Sequence, residues 1–253
     1  MEITSEQYEK IRDSLPVQRG NVRLTNLNML NALLYVAENG CKWRALPKHF
    51  GNWHSIYVRL NRWAKNGVLD RVFEKLQLEQ IVRIKIEAFS LDSTVVKVHP
   101  DGTGALKNGP QAIGRSRGGW TTKIHLVAAD SRTAITLALS PGNENDAPCG
   151  RQLLLELGPM PEGLPLIMDK AYEGDETRQL VLDLCMIPVV PPKCNRLHPW
   201  DYDRELYKKR NEIERLFRRL KGFRRIFSRF EKLDVVFLGF IYFALIIEAL
   251  RLV

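Results

Sequence analysis

Three carboxylates stand where this chain could do chemistry. Asp92 lies in Ser90-Leu91-Asp92-Ser93-Thr94, in the middle of an alternating segment, Ile86 to Val98, rich in Val and Ser/Thr. Its neighbours Leu91 and Val95 are apolar, so the carboxylate is expected to be partly buried, and an unpaired buried carboxylate is expensive. A metal ion would offset that. Asp169 ends the apolar run Pro165-Leu166-Ile167-Met168 and leads into Lys170-Ala171-Tyr172. Glu214 emerges from helix geometry. At about 100° per residue, Leu206, Ile213, Phe217 and Leu220 form one stripe, and Tyr207, Arg210, Glu214, Arg218 and Lys221 form the next. The glutamate thus sits at the border between core and solvent. Mg²⁺ is a hard ion that prefers oxygen ligands. Two such ions about 3.5–4 Å apart can clamp an in-line phosphoryl displacement, one activating the attacking oxygen and one stabilising the leaving oxygen. Flanking Arg and Lys would neutralise phosphate or hold a strand. A structural reading stands beside this one: Asp is common at strand ends, and Glu214 can pair with Arg210 or Arg218 as an i,i+4 bridge.

These residues need a scaffold, and the periodicities supply one. From residue 84 onward the pattern predicts strands over Ile86–Val98, Thr122–Ala129 and Thr133–Leu139, with the turn Asp130-Ser131-Arg132 between the last two. A helix Asp146–Leu157, a strand Leu164–Asp169, a helix Asp175–Cys185 and a strand Ile187–Val190 follow. A long basic helix, Arg204–Lys221, and an apolar helix close the chain. The glycine-rich residues 100–119 read as a loop. This order makes a mixed sheet with helices on both faces, and the ribonuclease H-like fold has that order. Ligands in such sheets collect beyond the carboxyl ends of the strands. Residues 1–80 read as all-helical. A short helix from Trp43, a turn at Gly51-Asn52 and an amphipathic helix Trp53–Lys65 form a helix-turn-helix-like pattern. The outer face of that last helix carries His54, Arg59, Asn61, Arg62 and Lys65, which suit phosphates and base edges; a merely solvated polar face is the alternative. The expected organisation is therefore α+β / α/β, a helical DNA-binding domain over 1–80 and a catalytic domain over 84–253.

Composition narrows the partners. Apolar residues are 45% and charged residues 26%, which excludes disorder, collagen and coiled coil as the main architecture. The net charge is +9, which favours a polyanionic partner. Residues 203–232 hold 12 Lys/Arg against 5 Asp/Glu, so most of the excess lies beside Glu214. Cys41, Cys149, Cys185 and Cys194 have no zinc-site spacing and read as thiols in a reducing cytosol. The first 16 residues carry no apolar signal core. The uncharged run Val235–Ile247 has 13 residues, short of the roughly 20 that span a bilayer, and reads as a buried helix.

The stretch Tyr207-x-x-Arg210-x-x-x-Glu214-x-x-x-x-x-x-Lys221 matches every fixed position of the signature of DDE transposases of bacterial insertion sequences. Met168-Asp169-Lys170-Ala171-Tyr172 resembles their second acidic motif and Ser90-Leu91-Asp92-Ser93-Thr94 their first. The chain resembles the insertion sequence 5 family in particular. Cys41-Lys42-Trp43-Arg44-Ala45-Leu46-Pro47, with Trp53 and Trp63, is similar to its N-terminal domain. Gly114-Arg115-Ser116-Arg117-Gly118-Gly119-Trp120, running on to His125, is similar to its glycine-rich stretch. Ala171 stands where many relatives have Gly. The resemblance implies Asp92, Asp169 and Glu214 as a metal-binding triad for two Mg²⁺ ions, with Mn²⁺ as a substitute. It also implies DNA cleavage at the element's ends, strand transfer of the freed 3′-hydroxyl into target DNA, and a homodimer or larger assembly on DNA. Tyr207, Arg210 and Lys221 would position the strand and Glu214.

Other basic residues are candidates for DNA contact: Arg218 on the same helix, and Arg115, Arg117 and Lys123 in the glycine-rich stretch, where Gly permits close approach. Trp120 and Trp200 could stack on a base or simply pack, and His99 and His125 could support the site. Two rival functions remain: a nuclease of the same fold that does not join, and a DNA-binding repressor or inactive remnant. The length of the apolar run disfavours a membrane protein.

Overall fold

The structure is a computed structural model that describes residues 2–83, 86–104, 109–160 and 162–251. Helices α1 (Ser5–Arg12), α2 (Asn26–Asn39), α3 (Trp53–Lys65) and α4 (Val68–Arg83) come first. Strands β1 (Phe89–Val98), β2 (Gly114–Ser116), β3 (Gly119–Ala128) and β4 (Ala134–Pro141) follow. Then come α5 (Asp146–Leu157), β5 (Leu164–Met168), α6 (Asp175–Asp183) and β6 (Met186–Val189). The chain ends with α7 (Arg204–Tyr207), α8 (Asn211–Gly222), α9 (Arg224–Phe227), β7 (Ser228–Arg229) and α10 (Asp234–Leu250).

Two compact units result: Met1–Gln80 with Val98–Gln111 and Arg219–Val253, and Ile81–Lys97 with Ala112–Arg218. They are drawn differently from the spans 1–80 and 84–253 read in the sequence, and α10 supplies a physical reason. A helix that is apolar all round must be buried on all sides, and α10 packs on α3 within the first unit. Gly239 allows that approach: an added Cβ would lie 3.2 Å from the Cβ of Ala64. Glu248 of α10 is buried and paired with Arg219 and Arg251. Among the described residues no helix is long and apolar enough to cross a membrane.

Within the first unit, Thr25 caps α2 through the Asn28 amide, and Gly40 ends that helix at a φ of +65°. Asn52 caps α3, whose Ile56, Leu60 and Trp63 are buried as the periodicity predicts. The short helix expected before the turn is two single 3₁₀ turns, Trp43–Ala45 and Lys48–Phe50.

The second unit carries the sheet, in the order β4-β3-β1-β5-β6. β3 runs antiparallel to β1 and β4, while β1, β5 and β6 are parallel. Helices α5 and α6 cover one face, with Leu153, Leu154 and Val181 against Phe89, Leu91, Val127 and Met168. On the other face Ala88, Ile167 and Val189 meet Tyr202, Leu206 and Tyr207. This is the ribonuclease H-like mixed sheet with helices on both sides. Two details differ from expectation. Part of the presumed loop 100–119 is β2, hairpinned to β3 through Gly119 at a φ of +96°. The single helix expected over Arg204–Lys221 is interrupted by a 3₁₀ turn, Lys208–Arg210. No Gly or Pro marks that break, so the periodicity reads straight through it. Each of the three basic residues in the turn has its own carboxylate: Glu205 for Lys208 at 2.7 Å, Glu87 for Lys209 at 2.5 Å, and Asp92 for Arg210 at 3.0 Å.

A polar relay crosses the core beneath β3. His125 Nε2 is 2.8 Å from Ser140 Oγ, and its Nδ1 is 3.4 Å from the hydroxyl of Tyr172. His125 is fully buried, and burial pulls its pKa down to about 4. The unfolded chain therefore takes up a proton that the folded chain refuses as pH falls from about 6.5 to 4. The full contribution is present above that window and is lost through it. His125→Gln keeps a hydrogen-bonding group without this titration. Denaturant unfolding at pH 7 and pH 4 is expected to show the native protein losing about 3 kcal/mol more than the variant. Equal losses would contradict it.

Candidate active site

The register of the sheet brings the backbone positions of the first two carboxylates onto neighbouring strands. β1 and β5 are parallel, with Phe89 opposite Leu166 and Leu91 opposite Met168. One residue further brings Asp92 level with Asp169, on strands about 4.8 Å apart. Asp169 then starts a 3₁₀ turn, Lys170–Tyr172, and its carbonyl accepts from the Tyr172 amide at 2.9 Å. Tyr172 is fully buried against Gly150 of α5, where an added Cβ would lie 2.5 Å from the ring. The loop carrying Asp169 is thus pinned by an aromatic side chain seated on a glycine. The motif Asp169-Lys170-Ala171-Tyr172 is visible in the sequence, but its partner Gly150 carries no sequence signal. Ala171 is exposed, so its methyl group disturbs nothing.

The third carboxylate arrives from α8. Arg210 lies between the two elements: Nη1 donates to Asp92 Oδ2 at 3.0 Å and Nη2 to Glu214 Oε1 at 2.5 Å. The i,i+4 bridge and the shared site are therefore one arrangement. Asp92 Oδ1 also accepts from the Ser93 amide at 2.7 Å. Burial pushes the Asp92 carboxyl up to about 6. The Ser93 amide and Arg210 pull the other way, and the nearby charges of Asp169 and Glu214 push it further up. Tyr207 is half-buried one turn before Arg210, and its hydroxyl is held above its usual range by burial.

Among the described residues no three His, Cys, Asp or Glu side chains stand close enough to hold a metal ion. A guanidinium bridges Asp92 and Glu214. The donor set still suits a hard divalent cation: all three groups are carboxylates, and one is desolvated beside two like charges.

The other sequence candidates are placed as follows. Arg115, Arg117 and Arg218 are exposed in the second unit. Lys123 is occupied, with its ammonium on Asp146 Oδ1 at 2.7 Å and on the Glu144 carbonyl at 2.6 Å. In the first unit Arg62 and Lys65 are exposed. Arg59 donates to the Leu24 carbonyl at 2.8 Å, tying α3 to the segment before α2. Lys221 follows Glu214 by two turns of α8 and falls in the first unit. Trp200 is a packing residue: its indole N–H donates to the Val190 carbonyl and Arg178 lies over its ring at 3.6 Å. Trp120 is half-exposed beside the β2–β3 turn, His125 is in the core relay, and His99 lies in the first unit.

Residues 3–73 match the family described as "Putative transposase of IS4/5 family", and residues 83–247 match the "Transposase DDE domain" family. The chain belongs to the DDE transposases, in their IS4/5 branch. A "Putative transposase for insertion sequence element IS6501" of Brucella ovis is 32% identical over 125 residues, covering 49% of this chain and 94% of that protein. The uncharacterized protein y4sN of Sinorhizobium fredii is 35% identical over 109 residues, covering 42% and 83%. Two solved structures are similar to the chain at low identity. One is a piggyBac transposase synaptic complex with hairpin DNA, with 11% identity, a TM-score of 0.39, and 77% of this chain on 48% of that one. The other is a Mos1 transposase paired-end complex with the left transposon end, with 13% identity, a TM-score of 0.29, and 84% on 79%.

Because folding raises the Asp92 pKa, the ionised carboxylate opposes folding above about pH 6 and costs nothing below the unfolded value. Asp92→Asn removes that cost. At pH 7.5 without divalent cations the variant is expected to be more stable than the native chain by about 2 kcal/mol and to melt several degrees higher. Added Mg²⁺ should raise the melting temperature of the native chain and not of the variant. A variant that melts lower in the absence of metal would contradict this reading of the site.

Proposed function

We propose that this transposase cuts DNA at the ends of its insertion sequence and joins the freed 3′-hydroxyls to target DNA. The observation that supports the proposal is Arg210 donating to both Asp92, in the middle of β1, and Glu214 of α8, with Asp169 just after the neighbouring parallel strand β5. In this reading Asp92, Asp169 and Glu214 hold two Mg²⁺ ions, which supply Lewis-acid stabilisation of the attacking and leaving oxygens. In the first step a water oxygen bonds to the phosphorus, the P–O3′ bond breaks, and the 3′-oxygen leaves as a hydroxyl. In the second step that 3′-oxygen attacks a target phosphodiester, one P–O bond replaces another, and neither a covalent enzyme intermediate nor ATP is required. Arg210 moves from the carboxylates to the phosphate as the strand enters, a transfer for which its bidentate fork is suited. Tyr207 holds the strand beside it, and Lys221 and Arg218 continue the basic face of α8.

DNA is held by further groups in this reading. Exposed Arg62 and Lys65 of α3 contact the terminal repeats, while Arg115 and Arg117 approach the backbone from the β2–β3 hairpin. Two ends must be brought together, which calls for a homodimer or a larger assembly on DNA.

The test uses supercoiled DNA carrying the element's two ends, the full chain, and Mg²⁺ or Mn²⁺. Metal-dependent strand-joined products are expected, with a loss of at least about a thousandfold in Glu214→Gln. Nicks without joining would replace this reading with that of a nuclease. Tight binding to the ends without cleavage under either metal would replace it with that of a repressor.

A further inference from the structure

The first unit contains a cleft of about 560 Å³ that the triad does not use. Its volume lies within the roughly 300–1,000 Å³ of small-molecule sites. The walls are aromatic. Trp43 and Tyr57 meet edge to face with ring centroids 5.4 Å apart, and Phe230 stacks on His99 at 4.5 Å. Tyr57 is 38% exposed, so part of its ring is open to a ligand.

Cations line the same cleft. Lys42 and Lys232 line it and are exposed. Arg225 is buried, with its charge opposed by Glu231 at 3.1 Å and one donor on the Cys41 carbonyl at 2.8 Å. Its Nε–H is buried without a hydrogen-bond partner. The acidic groups are accounted for: Glu231 is spent on Arg225, and Asp101 faces His99 at 3.5 Å.

A planar apolar ligand alone would not need the lysines, and a bare phosphate would not need the rings. A group with both parts, a flat base carrying a phosphate, uses the whole lining. We propose that this cleft binds a single unpaired nucleotide of DNA, its base against Tyr57 and Trp43 and its phosphate on Lys42 and Lys232. The inference rests on the reading of the chain as a DNA-acting enzyme and adds a site outside the catalytic triad. Stacking on an aromatic ring strengthens binding by about 1–3 kcal/mol per base, which is about five- to 150-fold in affinity.

The probes are two duplexes of the same sequence, one blunt and one with a one-nucleotide overhang of 5-iododeoxyuridine, together with free deoxyuridine monophosphate as competitor. The full chain is expected to bind the overhang duplex at least fivefold more tightly than the blunt one. Irradiation should give an adduct that maps to Trp43, Tyr57 or Phe230. Tyr57→Ala and the double variant Lys42→Gln, Lys232→Gln alter exposed side chains, and unchanged melting temperatures would show that they fold. Each should abolish the preference while leaving binding of the blunt duplex intact. Competition by the free nucleotide at concentrations that leave duplex binding intact would show a site for mononucleotides and overturn the DNA assignment. Equal affinity for the two duplexes, or adducts elsewhere, would overturn the site. Joining of ends by a chain without the overhang preference would leave the proposed function standing and remove only this pocket.

Discussion

A carboxylate set into the middle of a sheet loses most of its water, and Asp92 loses it beside two others. Burial raises the proton affinity of Asp92, and the charges of Asp169 and Glu214 raise it further. The second unit tolerates the arrangement because Arg210 reaches Asp92 and Glu214 at once. That reach depends on the 3₁₀ turn that ends at Arg210 and on the packing of Tyr202, Leu206 and Tyr207 against the sheet. A buried carboxylate held at such a cost in stability is common at functional sites.

The supports on the opposite face of the sheet serve the same end. Tyr172 seats on Gly150 and fixes the turn that begins at Asp169. The relay from Tyr172 through His125 to Ser140 satisfies polar groups that the core would otherwise leave bare. Both the aromatic ring and the histidine are fully buried. Their effect is on where Asp169 stands.

Much of this was legible from residue types. The bounds of α3 and α5 follow from caps and periodicity, and Asp92 and Asp169 follow from strands that alternate or run apolar. The stripe on α8 placed Glu214 at the edge of the core, where the structure has it half-buried. What escaped has a common cause, since it depends on partners distant in sequence. The break at Lys208–Arg210 has no glycine or proline, and it is tied to carboxylates at Glu87 and Asp92 more than a hundred residues earlier. Lys123 and Arg59 read as free cations until Asp146 and Leu24 are seen beside them. The grouping of α10 with the N-terminal helices depends on Gly239 meeting Ala64, a contact that periodicity cannot show. Residues 84–85, where the expected catalytic domain begins, lie outside the described residues.

The proposed function requires Asp92, Asp169 and Glu214 to form one divalent-cation site. The most direct measurement is Mn²⁺ binding to the full chain, followed by the electron paramagnetic resonance of the free ion. Asp92→Asn and Asp169→Asn should each weaken the tightest Mn²⁺ binding by at least about tenfold, and Arg62→Gln should leave it unchanged. Mn²⁺ affinity that is the same in the native chain and in both aspartate variants would contradict it.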